Sequence, residues 1–114
     1  MDTVVDRLIR YAKVYSESDY HAGRAVTPST QRQFDMGRLL VEELHGLGIE
    51  NAVLDEKCYV YASVPASPGC EHLPAIGLIA HMDTTPDMTG KDVKPQVIHY
   101  EGGDVVLNLS LIHI

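Results

Sequence analysis

Apolar residues near the start of the chain recur at the spacing of an amphipathic helix. They are Val4, Val5, Leu8, Ile9, Ala12 and Tyr15. Steps of three and four residues place such side chains on one helical face, so we predict a first helix over about residues 2–15. A polar loop follows, in which Gly23 and Pro28 interrupt regular structure.

A second apolar stripe begins after this loop and predicts a second helix. Its members are Phe34, Leu40, Val41, Leu44 and Leu47. Ser29 or Thr30 can cap the helix, and Thr30 with Gln33 has the spacing of a capping box. Gly46 and Gly48 can adopt the left-handed conformation that ends a helix.

From residue 51 the pattern changes to one typical of β-structure. Residues 52–54 and 58–64 predict two short strands around a turn near residues 55–57, because the second run is rich in Tyr and Val. The run "AIGLIA", residues 75–80, is apolar on both faces and predicts a central strand buried on both sides. The segment "VIHYEGGDVVLNL", residues 97–109, predicts one more strand.

The order of helix, helix, strand, strand, strand indicates an α/β fold with the sheet and the helices in layers. The chain has 114 residues, 45% of them hydrophobic. That size suits one small domain or one piece of a larger domain.

Charge and cysteine content narrow the class of protein. The net charge of −7 and the pI of about 5.2 oppose binding to nucleic acid or to an anionic membrane. The first residues carry Asp2 and Asp6 without a long apolar core, so they are neither a secretory signal nor a membrane span. Cys58 and Cys70 form no CxxC unit, and we interpret them as reduced thiols of a cytoplasmic protein.

The predicted central strand ends at a histidine followed by an aspartate. In an extended chain His81 and Asp83 project to the same side, and ligand sites of α/β sheets gather at the carboxyl ends of strands. A metal-bound imidazole usually donates its other N–H to a carboxylate, so the pair can be a metal ligand and its orienting partner. A hydrogen-bonded surface pair is the alternative, since one histidine cannot supply the three or four ligands of zinc. Asp87 is better explained as a loop cap than as a further ligand.

The stretch "IGLIAHMDTTPD" resembles the first signature of the zinc aminoacylase and carboxypeptidase superfamily. "TPD" and the later "GGDVVLNL" resemble the peptidase T branch, a family of tripeptide aminopeptidases. Four other segments agree in order and spacing, and the resemblance covers about residues 1–108. These segments are "MDTVVDRLIRYAKVYSES", "VTPSTQRQFDMGRLLVEEL", "LGIENAVLDEK" and "VYASVPA".

This resemblance implies the amino-terminal part of a layered zinc-exopeptidase catalytic domain, with two helices and then a mixed sheet. His81 would coordinate one zinc ion of a two-zinc site, and Asp83 would hold and polarise its imidazole. The zinc ions would activate a water that attacks the peptide bond of a tripeptide. The family's other ligands and its general base lie further downstream, so we expect this chain alone to be inactive. We expect its parent to be a cytoplasmic, homodimeric enzyme.

Two features depart from the family. Members often have glycine where Cys58 stands, and a positive φ there would make cysteine unfavourable by about 1 kcal/mol. The last residues, "LSLIHI", break the resemblance and match the translation of a transposon mosaic-end adapter used in DNA library preparation. We therefore expect a domain part over residues 1–108 and a non-native tail over residues 109–114, the alternative being a natural apolar strand.

Two other functions stay open on the sequence alone. One is a different di- or tripeptidase, or a deacylase, of the same superfamily, because the first signature is shared by those branches. The other is a small non-catalytic α/β module in which His81 and Asp83 form a structural hydrogen-bonded pair.

Overall fold

The computed structural model describes residues 2–23 and 25–105. Within them lie two helices, α1 (Val4–Ala12) and α2 (Gln33–Gly46), and two strands, β1 (Val53–Leu54) and β2 (Val60–Tyr61). The strands pair antiparallel, with Val53 opposite Tyr61 and Leu54 opposite Val60. The described chain is therefore mixed α and β, as predicted. No helix in this part of the chain has the length and apolar character needed to cross a membrane.

Helix α1 is shorter than the predicted span of residues 2–15. It begins after a capping box, in which the Asp6 amide donates to Thr3 Oγ1 over 3.2 Å and the Thr3 amide donates to Asp6 Oδ2 over 2.8 Å. It ends at Ala12. Tyr15, predicted on the helical stripe, lies beyond α1 in the following loop, where the Arg32 guanidinium stacks over its ring at 4.4 Å.

The predicted cap of the second helix is wrong. Helix α2 begins at Gln33, and its N-cap residue Arg32 makes no side-chain capping bond. The Gln33 side-chain amide instead donates to Ser29 Oγ over 2.9 Å and to Thr30 Oγ1 over 3.3 Å. These hydroxyls therefore satisfy a side chain, which leaves the first turn of α2 without a hydroxyl cap.

The predicted end of the second helix is confirmed. Helix α2 ends at Gly46, and Gly48 adopts a φ of 84°. The Gly48 amide donates to the His45 carbonyl over 2.9 Å, and the Ile49 amide donates to the Leu44 carbonyl over 3.0 Å. This pair of bonds is the Schellman motif, which requires a left-handed residue that glycine provides at low cost.

The turn between the strands is confirmed, although both strands are shorter than predicted. The Asp55 amide donates to the Tyr59 carbonyl over 2.9 Å, and the Asp55 carboxylate accepts the amides of Lys57 and Tyr59 over 2.9 Å and 2.8 Å. Cys58 adopts a φ of 67°. The position at which the family often has glycine thus does need the left-handed conformation.

The buried core of the described residues is small and lies between α2 and the hairpin. Its buried apolar members are Met36, Ala52 and Cys58. Gly37 permits the close approach of the hairpin, because a Cβ atom at this position would lie 2.7 Å from Leu54 Cδ1. Helix α1 adds no buried residue to this core. Its apolar residues have the predicted helical spacing, but none of those in the helix is buried.

Helix α1 is held to α2 through one carboxylate. Glu43 Oε1 accepts the Tyr11 hydroxyl over 2.6 Å and lies 3.1 Å from Arg7 Nε. Glu43 Oε2 accepts Arg10 Nη2 over 2.6 Å. The hydrogen bond from Tyr11, and next the one from Arg10, lower the pKa of the Glu43 carboxyl. The contact between the two helices is therefore mainly ionic.

The prediction of a buried central strand over residues 75–80 is wrong. These residues form no strand, and Ile76, Leu78 and Ile79 are 88%, 93% and 100% exposed. A strand is buried on both faces only when strands flank it and helices cover it. Among the described residues only the hairpin forms a sheet, and the run is not paired with it.

The last predicted strand and the predicted mixed sheet are also not found in the described part of the chain. Residues 97–105 form no strand, and the sheet there has two antiparallel strands. The rest of the predicted strand and the predicted tail, residues 109–114, lie outside the described residues.

Candidate functional site

His81 and Asp83 lie together as their spacing predicts. His81 Nδ1 is 3.2 Å from Asp83 Oδ1, and the side chains are 84% and 36% exposed. An ionised carboxylate only accepts hydrogen bonds, so the contact requires the proton on Nδ1. In the neutral imidazole the lone pair is then on Nε2, the nitrogen that can bind a metal.

This pair supplies one possible metal ligand and its orienting partner. Across residues 2–23 and 25–105, no group of three or more His, Cys, Asp or Glu side chains is close enough together to hold a metal ion. Zinc in proteins takes at least three protein ligands. The residues present therefore fit one edge of a zinc site, and the assignments of His81 as ligand and Asp83 as its partner stay predictions.

The backbone next to the pair is bridged to the loop that follows α1. The Thr84 amide donates to the Ser16 carbonyl over 3.3 Å, and the Ser18 amide donates to the Thr84 carbonyl over 2.9 Å. The Ser18 hydroxyl donates to the same carbonyl over 3.1 Å. This parallel bridge fixes the residue directly after Asp83.

A hydroxyl network holds the loop beyond the bridge. The Tyr20 hydroxyl is 2.8 Å from Thr85 Oγ1 and donates to Asp87 Oδ2 over 3.0 Å, while the Thr85 hydroxyl donates to the same oxygen over 2.6 Å. Hydrogen bonds from Thr85 and then Tyr20 lower the pKa of the Asp87 carboxyl. Asp87 is thus held in the loop by side-chain hydroxyls, and its interpretation as a loop cap stays a prediction.

Glu17 lies between the two loops. Its Oε2 accepts the Gly90 amide over 2.9 Å, and its Oε1 accepts the Tyr15 hydroxyl over 3.2 Å. Arg32 Nη1 is 3.6 Å from Oε1. Because the Glu17 side chain is only 14% exposed, these contacts are partly shielded from water.

The candidate pair lies on the wall of a cavity of about 830 Å³. Leu8, Leu40 and Leu44 line it from the helices, and Tyr59 and Tyr61 line it from the hairpin. Residues 78–84, including the pair, form the remaining wall. Most of the lining is apolar, so His81 and Asp83 are polar groups on the wall of an apolar cleft.

Sequence reasoning missed the residues that hold the loop after the pair. Thr85 and Glu17 lie in stretches that resemble the family, but the contacts of Thr85 with Tyr20 and of Glu17 with Gly90 join positions 65 and 73 residues apart. Residue spacing predicts contacts only between neighbours within one helix, strand or turn, and no signal in the single sequence connects these distant positions.

Comparison with known proteins identifies the relatives of the chain. No protein-family model matches it. The peptidase T of Alkaliphilus oremlandii is 50% identical over 110 residues, which are 95% of this chain and 26% of that protein. The peptidase T of Halothermothrix orenii is 50% identical over 112 residues, which are 96% of this chain and 26% of that protein. The chain belongs to the peptidase T family.

The peptidase T of Geobacillus thermodenitrificans, 46% identical over 92% of this chain, is also matched over only 25% of its length. The chain therefore spans about a quarter of the length of the curated relatives that it matches. The exposed run of residues 75–80 has the apolar character of a strand that neighbouring elements cover on both faces. The strands and helices that cover a central strand can belong to the part of the peptidase T length that this chain does not include.

Proposed function

We propose that this chain is the amino-terminal part of a zinc-dependent aminopeptidase that removes the first residue of tripeptides in the cytoplasm. Family membership supports a peptidase, because the relatives are named peptidase T. The observation that carries the metal assignment is the contact of His81 Nδ1 with Asp83 Oδ1 at 3.2 Å. In the neutral imidazole this contact keeps the proton on Nδ1, so Nε2 would be the nitrogen that binds the metal.

The residues of this chain would hold and orient one ion of a two-zinc site. His81 would bind through Nε2, and Asp83 would fix the tautomer and raise the basicity of the imidazole. Zinc, when bound, lowers the pKa of its bound water, which would supply a hydroxide able to attack a peptide carbonyl near neutral pH.

In this proposal residues 1–108 belong to a layered zinc-exopeptidase domain and residues 109–114 are a non-native tail. The chain would be inactive, since residues 2–23 and 25–105 supply one candidate ligand where zinc needs at least three. The complete enzyme would obtain its other ligands and its general base from sequence beyond residue 108, and it would be a homodimer.

The first test is to sequence the source DNA beyond codon 108. We expect the reading frame to continue into further aspartate, glutamate and histidine codons. A stop codon directly after Ile114 would contradict the proposal and favour a small non-catalytic α/β module.

The second test uses the full-length protein from that reading frame. We expect His81→Ala to abolish release of the first residue from a tripeptide and to lower the bound zinc. Asp83→Asn should lower zinc affinity or activity by about 10- to 100-fold. His72→Ala, at an exposed loop histidine, is the matched control and should behave as the wild type. Full activity and zinc content in His81→Ala would refute the assignment.

A further inference from the structure

We propose that Glu17 is a positioning residue for the His81–Asp83 pair, an inference that deepens the proposed function and rests on it for its meaning in catalysis. The pair has little support of its own. Among the described residues, positions 75–83 make no backbone-to-backbone hydrogen bond. The place of the pair relative to the helices is therefore set by what holds the chain directly after it.

Contacts lead from Glu17 to the pair through Gly90 and Thr84. Glu17 Oε2 accepts the Gly90 amide over 2.9 Å. A Cβ atom on Gly90 would lie 3.1 Å from Thr84 Oγ1, so the loop returns closely onto the Thr84 side chain. Thr84 follows Asp83 directly in the chain and carries the bridge to Ser16 and Ser18. Glu17 thus closes the loop of residues 84–90 against the bridge.

Glu17 is itself fixed from the opposite side. Tyr15 donates to Oε1 over 3.2 Å, and Arg32, which lies 3.6 Å from the same oxygen, also stacks on the Tyr15 ring. A carboxylate held by these partners and 14% exposed has little freedom to turn away. The Tyr20 hydroxyl is a weaker anchor, because Tyr20 is 67% exposed and water competes for its hydrogen bonds.

The test compares Glu17→Ala and Glu17→Gln with the wild-type chain. Glu50→Ala, at an exposed position in the loop after α2, is the control. The readout of positioning is the tautomer ratio of neutral His81, measured from its ¹⁵N shifts at about pH 8. The readout of the anchor is the amide exchange rate of Gly90.

We expect Glu17→Ala to speed the exchange of the Gly90 amide by about tenfold. It should also shift His81 away from the Nδ1–H tautomer, because Thr84, the residue directly after Asp83, is then placed less firmly and Asp83 spends less time beside Nδ1. Glu17→Gln retains an oxygen that accepts the Gly90 amide, so it should keep most of the wild-type ratio. Glu50→Ala should change neither quantity.

Faster exchange at Gly90 with an unchanged His81 tautomer ratio would overturn the inference, because Glu17 would then hold only the loop. Unchanged exchange at Gly90 would overturn it as well. If Glu17→Ala speeds exchange throughout α2, Gly90→Ala decides the question, since it disturbs the Thr84 contact and leaves Glu17, Tyr15 and Arg32 in place. The inference then requires a shifted tautomer ratio in Gly90→Ala.

These measurements need no metal and no peptidase activity. Failure of the proposed function would show separately, as a His81 Nε2 signal that does not respond when zinc is added to the full-length protein. In that case an altered tautomer ratio in Glu17→Ala would still establish that Glu17 positions the pair.

Discussion

Replacing Glu43 by glutamine removes the charge that holds α1 against α2. The variant keeps the length of the side chain and one acceptor oxygen. It loses the ionic part of the contacts with Arg7 and Arg10 and weakens the hydrogen bond from Tyr11. Because α1 contributes no buried residue, apolar packing does not compensate for this loss.

The expected loss of stability follows from the exposure of these groups. The Glu43 side chain is 12% exposed and that of Arg7 is 29% exposed, so the site is intermediate between a surface ion pair and a shielded one. Surface pairs contribute about 0.2–1 kcal/mol, and hydrogen bonds to charged groups contribute about 1.5–3 kcal/mol. We expect Glu43→Gln to lower the free energy of unfolding by about 2 kcal/mol.

The effect should depend on pH with a defined sign. The pKa of Glu43 is lowered in the folded chain, first by the Tyr11 hydroxyl and then by Arg10. A carboxyl with a lowered pKa stabilises the fold above its unfolded value, roughly 4.3, and this contribution is lost as the pH falls through the folded value. The difference in unfolding free energy between wild type and Glu43→Gln should therefore reach its maximum near neutral pH and shrink below about pH 4.

The assay is urea unfolding followed by circular dichroism at several pH values. Glu42→Gln is the matched control, because Glu42 is the exposed neighbour on the same helix. This substitution should lower the free energy of unfolding by less than about 0.5 kcal/mol. Equal stability of the two variants near neutral pH would refute the view that Glu43 joins the helices. A difference that persists undiminished in acid would refute its ionic origin.

Three further predictions concern single positions. Cys58→Gly should be more stable than Cys58→Ala by about 1 kcal/mol in thermal unfolding, because only glycine adopts the observed φ of 67° without strain; equal stability would contradict this. Gly37→Ala should lower the stability by about 1–3 kcal/mol in the same assay, since its Cβ would lie 2.7 Å from Leu54 Cδ1, and an unchanged midpoint would refute it. A thiol reagent at about pH 8 should modify the half-buried Cys70 before Cys58, whose pKa is raised by burial; mass spectrometry of the partly modified chain identifies the first site.

The features that the sequence predicts correctly depend on adjacent residues. Gly48 ends α2 because its amide and that of Ile49 reach carbonyls within one turn. The hairpin turn follows from Asp55, whose carboxylate accepts two amides within four residues. The contact of His81 with Asp83 is likewise local, since an extended chain places residues two apart on one side.

The features that the sequence does not predict depend on partners elsewhere. The periodicity of residues 75–80 is that of a buried strand, but burial requires neighbours that the described residues do not provide. The Thr30–Gln33 spacing fits a capping box, yet the chain uses Thr30 to accept the Gln33 side chain. Glu17 and Gly90 are 73 residues apart, and neither residue type predicts a contact with the other.

The bridge from Ser18 to Thr84 has a consequence for the order in which the chain folds. It joins positions 66 residues apart, whereas the hairpin and both helices close within short segments. Short loops close first because they lose less chain entropy, and a contact across a long loop forms once local structure has narrowed the search. We therefore expect the histidine of the candidate site to be placed in a late folding step, after the helices and the hairpin have formed.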